Sequence, residues 1–180
     1  EGVYDPGIFK AFFLAGGPGS GKTFVTQSAF AGTGLKIVNS DTLFERGLKK
    51  ANLSLKMPES EAEFRDIIRQ RAKSTAGTIL DTYMRGRLGL VIDATGRDKN
   101  FIQRQHALLT NLGYDCYMIF VNTSLDVALQ RNRNRPRSIP EYIVTNSWNG
   151  VQSNIGQFQR IFSPNKMLII DNKICLLYTS

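Results

Sequence analysis

Five short apolar runs alternate along the chain with longer segments in which apolar positions recur every three or four residues. The runs are Phe9–Gly16, Leu35–Asn39, Leu88–Asp93, Tyr114–Val121 and Lys166–Asp171. They are continuously apolar rather than alternating, the pattern of strands covered on both faces. The intervening segments predict helices near Gly21–Phe30, Asp41–Ala51, Glu59–Arg85, Lys99–Leu112, Ser124–Asn132 and Pro140–Phe162. In the longest, Phe64, Ile67, Ile68, Ala72, Ile79, Leu80, Tyr83 and Met84 form the expected core stripe. Alternation of strand and helix predicts a three-layer α/β fold with a central parallel sheet of about five strands. No repeat or low-complexity linker divides the sequence, so one domain over residues 1–180 is expected.

The end of the first run changes this picture most. Ala15-Gly16-Gly17-Pro18-Gly19-Ser20-Gly21-Lys22-Thr23 fits the phosphate-loop pattern G-x-x-x-x-G-K-[ST]. It stands where such a loop must stand, directly after a strand and at the opening of a helix. The glycines allow backbone conformations and close approaches that a side chain would block. Successive N–H groups then point inward as an anion-binding nest, and the helix N-terminus adds partial positive charge. Gly16, Gly17, Pro18, Gly19, Ser20 and Gly21 are therefore expected to cradle a nucleoside triphosphate. Lys22 is expected to reach its β- and γ-phosphates, and the Thr23 hydroxyl to ligate Mg²⁺.

Charge and composition narrow the partners. Lys and Arg number 23 against 15 Asp and Glu, a net charge of +8. The partner implied is anionic: a phosphate, a nucleotide or a nucleic acid. The sequence is 42% hydrophobic, enough for a core. Its two cysteines, Cys116 and Cys175, sit in apolar segments and read as buried thiols, not as a secreted disulfide framework. No apolar run approaches the roughly 20 residues that span a bilayer. With no signal-like start, the expectation is a soluble cytoplasmic protein with no membrane partner.

Three further positions are candidates for chemistry. Asp41 follows the second strand, whose carboxyl end belongs on the ligand side of an open α/β sheet. There a carboxylate can take the proton of an attacking hydroxyl; the same residue also suits the N-cap of the next helix. Asp93 closes the apolar strand Leu90-Val91-Ile92, the arrangement in which a carboxylate holds Mg²⁺. Arg131-Asn132-Arg133-Asn134-Arg135-Pro136-Arg137 places four arginines at alternate positions. Such density reads as a lid over about 131–138 that closes on a transferring phosphate, with Arg131 and Arg135 as its working cations. Asp93-Ala94-Thr95-Gly96 also fits the D-x-x-G of a GTPase. However, Asn172-Lys173-Ile174-Cys175 lacks the carboxylate that would bind a guanine edge. A hydrolytic switch and a nucleic-acid-binding protein with a regulatory ATP site remain open. His106 reads as a packing or surface residue, Trp148, Tyr142 and Phe158 as packing residues, and the tail at 174–180 has no readable role.

The ensemble resembles the kinase domain of bacteriophage polynucleotide kinase and the related zeta-toxin-like small kinases. The resemblance runs from Phe9 to Phe162. It rests on the phosphate loop, Asp41 after the second strand, Asp93-Ala94-Thr95, the Gly113-Tyr114 entry to the next strand, and Arg131-Asn132-Arg133-Asn134-Arg135 followed by Ile139-Pro140. It implies a nucleoside-monophosphate-kinase-like strand order 2-3-1-4-5 and transfer of the ATP γ-phosphate to a hydroxyl. Asp41 would be the base, and the 5′-hydroxyl of a polynucleotide is one acceptor. The exposed-looking Arg46, Lys49, Lys50 and Lys56 suit such an acceptor. A small-molecule acceptor is the alternative. The chain departs from the family at Phe44, where the polynucleotide enzyme carries an arginine against the substrate phosphate, and at Ala94, which replaces a polar residue.

Overall fold

The computed structural model of the chain describes residues 9–172; Cys175 and the tail at 174–180 lie outside the described residues. Five strands, β1 (Lys10–Ala15), β2 (Lys36–Val38), β3 (Leu90–Asp93), β4 (Asp115–Asn122) and β5 (Met167–Asp171), form one parallel sheet in the order β2-β3-β1-β4-β5. The helices are α1 (Lys22–Phe30), α2 (Ser40–Lys50), α3 (Ala62–Arg85), α4 (Lys99–Asn111), α5 (Leu125–Arg133), α6 (Glu141–Ser153) and α7 (Ile155–Phe162). Single 3-10 turns precede α3 and β5. The expected α/β architecture and strand order are both present. No described helix is long and apolar enough to cross a membrane.

Alternation along each central strand divides the core in two. Phe13, Ile92, Met118 and Phe120 face one side, against Ile102 and Leu109 of α4, Leu80 and Met84 of α3, and Phe158 and Phe162 of α7. Their neighbours Leu14, Val91 and Val121 face the other, against Val25 and Phe30 of α1. The phosphate loop and the β3 end are thus held by strands buried on both faces, whereas β2 lies at the sheet edge with Ile37 exposed. Cys116 is buried, as expected.

The structure corrects four expectations. The first part of α3 is not core: Phe64 is 65% and Ile67 47% exposed, while Ala72, Ala76, Leu80 and Met84 carry the buried stripe. The helix outruns the sheet, so its first turns meet α2, where Ile68 lies against Gly47, and the 51–58 segment, where Arg65 donates to Met57 O and Pro58 O. The predicted helix over 140–162 is two helices. Asn154 ends α6 because its buried amide donates to Gly96 O and Arg97 O, both at 3.0 Å, which pins the break to the loop after β3. Finally, β5 is an edge strand with Leu168 and Ile169 exposed, and Tyr142 is exposed rather than packed.

Candidate functional site

The loop between β1 and α1 turns on glycine. Gly19 and Gly21 have φ of 77° and 98°. At Gly19 a β-carbon would stand 2.6 Å from the backbone oxygen of Ala128, and at Gly16 2.7 Å from that of Val121. The loop is therefore pressed between its own turn and the β4–α5 segment, and only glycine fits. Lys22 curls over the loop and donates to Gly16 O at 2.6 Å. Ser20 is buried, and its hydroxyl has no hydrogen-bond partner. A concave, donor-rich loop with an orphaned hydroxyl fits a polyphosphate.

Two carboxylates face this loop across the sheet. β3 lies between β1 and β2, with Asp93 in register with Leu14. Asn39, between β2 and α2, binds both halves of this edge. Its Oδ1 accepts from Asp41 N at 2.8 Å and Thr42 N at 3.2 Å, capping α2, and its Nδ2 donates to Asp93 Oδ2 at 2.6 Å. The cap is thus Asn39 and not Asp41, which corrects the alternative role considered for Asp41. Asp41 sits in the first turn of α2 with its side chain 55% exposed and its carboxylate beside the Arg137 guanidinium. Burial pushes the Asp93 carboxyl above its usual range; Lys22 opposes that shift and Asp41 adds to it. Lys22, Asp93 and Asp41 therefore share one electrostatic environment. Neighbouring strands lie about 4.8 Å apart, so the ends of β1 and β2 are about 10 Å apart, room for a phosphoryl group and an attacking oxygen.

The arginine segment does not act as one unit. Asn132 is buried and clasps the chain seven residues on, donating to Ile139 O at 2.7 Å and accepting from Ile139 N at 3.0 Å. Arg131 lies under the phosphate loop, donating to Gly19 O at 3.1 Å, Ser20 O at 3.3 Å and Asn172 Oδ1 at 3.3 Å. It braces the loop from outside. Arg135 is exposed. Arg133 pairs with Glu141 at 2.6 Å. Arg137 instead reaches α2, with Nη2 3.6 Å from Asp41 Oδ1 and Nε 3.3 Å from Glu45 Oε1.

Sequence reasoning missed three contributors. Asn172 is one: in sequence it stands out only as part of an incomplete guanine-binding motif, yet its Nδ2 donates to Ser20 O at 2.9 Å and it locks the loop to the end of β5. Asn39 is another, and its signal was present, since Asn before Ser-Asp is a strong N-cap pattern. The third is the pair Arg69 and Arg137, whose guanidinium carbons lie 4.3 and 5.5 Å from the Phe44 ring centroid. No local pattern joins positions 44, 69 and 137. His106 packs edge-on against Phe162 and takes no part in the site. Trp148 donates to Thr123 O at 2.8 Å, and Phe158 is buried. A cavity of about 440 Å³ opens beyond Asp93, lined by Thr95, Arg97, Asp98, Lys99, Asn100 and Asn154.

The residues also admit a divalent cation. Among the described residues no group of three or more His, Cys, Asp or Glu converges, so an all-protein metal cage is not built here. Mg²⁺ characteristically takes one or two protein oxygens and fills its shell with water and phosphate, and Thr23 and Asp93 fit that demand.

Residues 12–157 match the family described as "AAA domain". No curated protein matches the chain. Among solved structures the chain is similar to one from the PezAT chromosomal toxin-antitoxin system of Streptococcus pneumoniae, with TM-score 0.68, 18% identity, and coverage of 91% of this chain and 68% of that one. It is similar to a chain of the Pnkp1/Rnl/Hen1 RNA repair complex, with TM-score 0.64, 18% identity, 84% of this chain and 46% of the other. It is similar also to shikimate kinase from Acinetobacter baumannii, with TM-score 0.56, 14% identity, 92% of this chain and 84% of that enzyme. This chain thus spans less than half of the RNA repair chain. Identities this low establish the fold, and the match over residues 12–157 establishes the rest: the chain belongs to the AAA domain family and has a kinase-like phosphate-loop fold.

Proposed function

We propose that this chain is an ATP-dependent phosphotransferase that moves the γ-phosphate to a hydroxyl. The observation that carries the reading is the second carboxylate. A hydrolytic switch needs the loop and Asp93; Asp41 stands beyond Asp93, at the end of β2, within electrostatic reach of it. That is where an acceptor hydroxyl would approach a phosphate held by the loop.

In this reading the amides from Gly16 to Gly21 and the Lys22 ammonium hold the polyphosphate. Lys22 leaves Gly16 O for the phosphate oxygens as charge builds on them. Thr23 and Asp93 would hold Mg²⁺, which when bound neutralises phosphate charge. Asp41 accepts the hydroxyl proton and aims the oxygen in line. Arg131 keeps the loop in shape, and Arg135, exposed on the lid, folds over the phosphates on closure. The resemblances to an RNA repair chain and to a small-molecule kinase support two acceptor classes, a polynucleotide 5′-hydroxyl and a small-molecule hydroxyl. Exposed Arg46, Lys49 and Lys50 on α2 favour the first. Binding of an oligonucleotide would then fall steeply with salt as counterions are released, whereas a small neutral acceptor would show a flat response.

The test pairs Asp41→Asn with γ-labelled ATP and a panel of 5′-hydroxyl oligonucleotides, nucleosides and sugars. Transfer should drop by about a hundredfold or more, while ATP affinity by calorimetry stays near that of the parent chain. Collapse of ATP affinity along with the rate would make Asp41 structural or metal-binding. Full activity in Asp41→Asn would refute the base assignment.

A further inference from the structure

The residue before α2 carries more than a helix cap needs. Asn39 Oδ1 accepts from Asp41 N at 2.8 Å and Thr42 N at 3.2 Å. Two backbone N–H groups on one side fix the amide's orientation, because its nitrogen has no acceptor to offer them. Nδ2 must therefore point the other way, where it donates to Asp93 Oδ2 at 2.6 Å across 54 residues of sequence. Ser, Thr and Asp also cap helices well, yet none of them does both things here. A Ser or Thr hydroxyl is a single oxygen already turned to the cap, and Asp would set a carboxylate against a carboxylate. Asn is the one strong N-cap side chain with a second, donor arm. That arm lands on the carboxylate whose proton affinity responds to Lys22 of the phosphate loop. The other oxygen of Asp93, Oδ1, accepts no hydrogen bond among the described residues.

We propose that Asn39 is a positioning residue for the cation site: it holds Asp93 by Oδ2, so that Oδ1 alone is presented to a divalent cation, and it ties that carboxylate to the helix start that carries Asp41. The inference rests on the reading of Thr23 and Asp93 as the Mg²⁺ residues. It adds which oxygen of Asp93 serves and what aims it. Mg²⁺ demands near-octahedral angles. A carboxylate gripping it with both oxygens would pinch one of those angles well below a right angle. An Asp93 with one oxygen engaged elsewhere suits the ion better. Partners that orient a metal-binding group typically change metal affinity by about ten- to a hundredfold. Because the same planar amide caps α2, Asp93 and the first turn of α2 are fixed relative to each other by one rigid group. Asn39 acts through Asp93 and Asp41 rather than on the reacting atoms.

The experiment uses Asn39→Ser, which keeps a capping oxygen and loses the donor arm, with Asn39→Gly as a second variant that caps nearly as well. Calorimetry of the whole chain with a non-hydrolysable ATP analogue, without divalent cation and then over a Mg²⁺ series, separates nucleotide from metal. No acceptor is needed, so the outcome does not depend on the hydroxyl that receives the phosphate. Without cation, both variants should bind the analogue as the parent does. With cation, both should need about tenfold or more Mg²⁺ to reach the same gain in affinity. Asp93→Asn should abolish most of that gain, and adding Asn39→Ser to it should change nothing more, because the arm then has no carboxylate to aim. A residue that served only as a cap would leave Asn39→Ser with the parent's Mg²⁺ dependence, and that result overturns the proposal. So does a loss that adds in full to that of Asp93→Asn. Weaker cation-free binding in both Asn39 variants would show that the change disturbs the loop rather than Asp93, which also overturns it. If Asp93→Asn keeps the parent's Mg²⁺ dependence, or the parent has none, the reading of Asp93 as a metal residue fails and the proposal falls with it.

Discussion

Replacing Asn39 by Asp tests the joint between the two carboxylates. Aspartate caps a helix about as well as asparagine, so the start of α2 is held constant. What changes is the group facing Asp93. The Nδ2 that donates to Asp93 Oδ2 at 2.6 Å becomes a carboxylate oxygen. A hydrogen bond to a charged group is worth about 1.5–3 kcal/mol. Two full charges at that separation would add at most about 6 kcal/mol at an effective dielectric of about 20. The pair escapes most of that by sharing a proton. Burial already pushes Asp93 in that direction, and the charge of Asp41 reinforces it. The net loss at pH 8 should be about 2–4 kcal/mol, a fall in Tm of roughly 5–15 °C for a chain of this size. The sign with pH follows from linkage. A shared proton raises the folded-state pKa of the pair above that of an unfolded Asp, so the folded chain binds more protons. The variant is closest to the parent below the unfolded value, near pH 4, and loses stability as pH rises through the folded value. Urea unfolding of the parent chain, Asn39→Asp and Asn39→Ala at pH 5 and pH 8 reads this out. Asn39→Ala loses both the cap and the hydrogen bond but brings no second carboxylate, so its deficit should vary less with pH. Asn39→Asp matching the parent at pH 8, or a deficit that does not move with pH, would refute the argument.

Two further outcomes follow from the same geometry. Burial raises the Asp93 pKa, so its ionised form subtracts stability above the folded pKa; Asp93→Asn should raise the ligand-free Tm at pH 8, converge with the parent near pH 4, and lose Mg²⁺-dependent ATP affinity in calorimetry, whereas a lower Tm at pH 8 would show the carboxylate to be stabilising. Gly19→Ala should cost at least about 1–2 kcal/mol in urea unfolding from its left-handed backbone alone, with more from the clash at Ala128 O; stability and ATP affinity equal to the parent would mean that the loop is not pressed against α5.

The nucleotide side of this molecule was legible in the sequence because its parts are contiguous. Gly16 to Thr23 are consecutive, and strand and helix periodicity on either side fixes where the loop points. Asp93 ends an apolar strand, a pattern that needs no partner to be read. The cluster of Phe44, Arg69 and Arg137 was not legible, because its parts are joined only by packing. Arg69 reaches the site from the middle of α3 and Arg137 from beyond α5, and Phe44 brings them together as a buried ring, not as a motif. The misread first turns of α3 have a similar cause. Phe64 and Ile67 satisfy the helical period, but periodicity cannot say where the sheet beneath a long helix stops. Asn154 broke a predicted helix through a tertiary contact to Gly96 and Arg97 that has no local signature.

The four alternating arginines show how chain geometry divides a charge cluster that sequence presents as one. Positions two apart on a helix point about 200° from each other around its axis. Arg131 and Arg133, both on α5, therefore leave on opposite sides, one toward the loop carbonyls of Gly19 and Ser20 and the other toward Glu141. Helix α5 ends at Arg133, and the clasp between Asn132 and Ile139 folds the chain back within seven residues. That return carries Arg137 to Asp41 and Glu45 on α2, while Arg135 is exposed near the apex. One short segment thus touches the phosphate loop at one end and the end of β2 at the other. The clasp of Asn132 on Ile139 lies between these two contacts along the chain. In the proposed kinase reading, nucleotide on the loop and an acceptor beside Asp41 would be coupled through the clasp of Asn132, a buried side chain that meets neither.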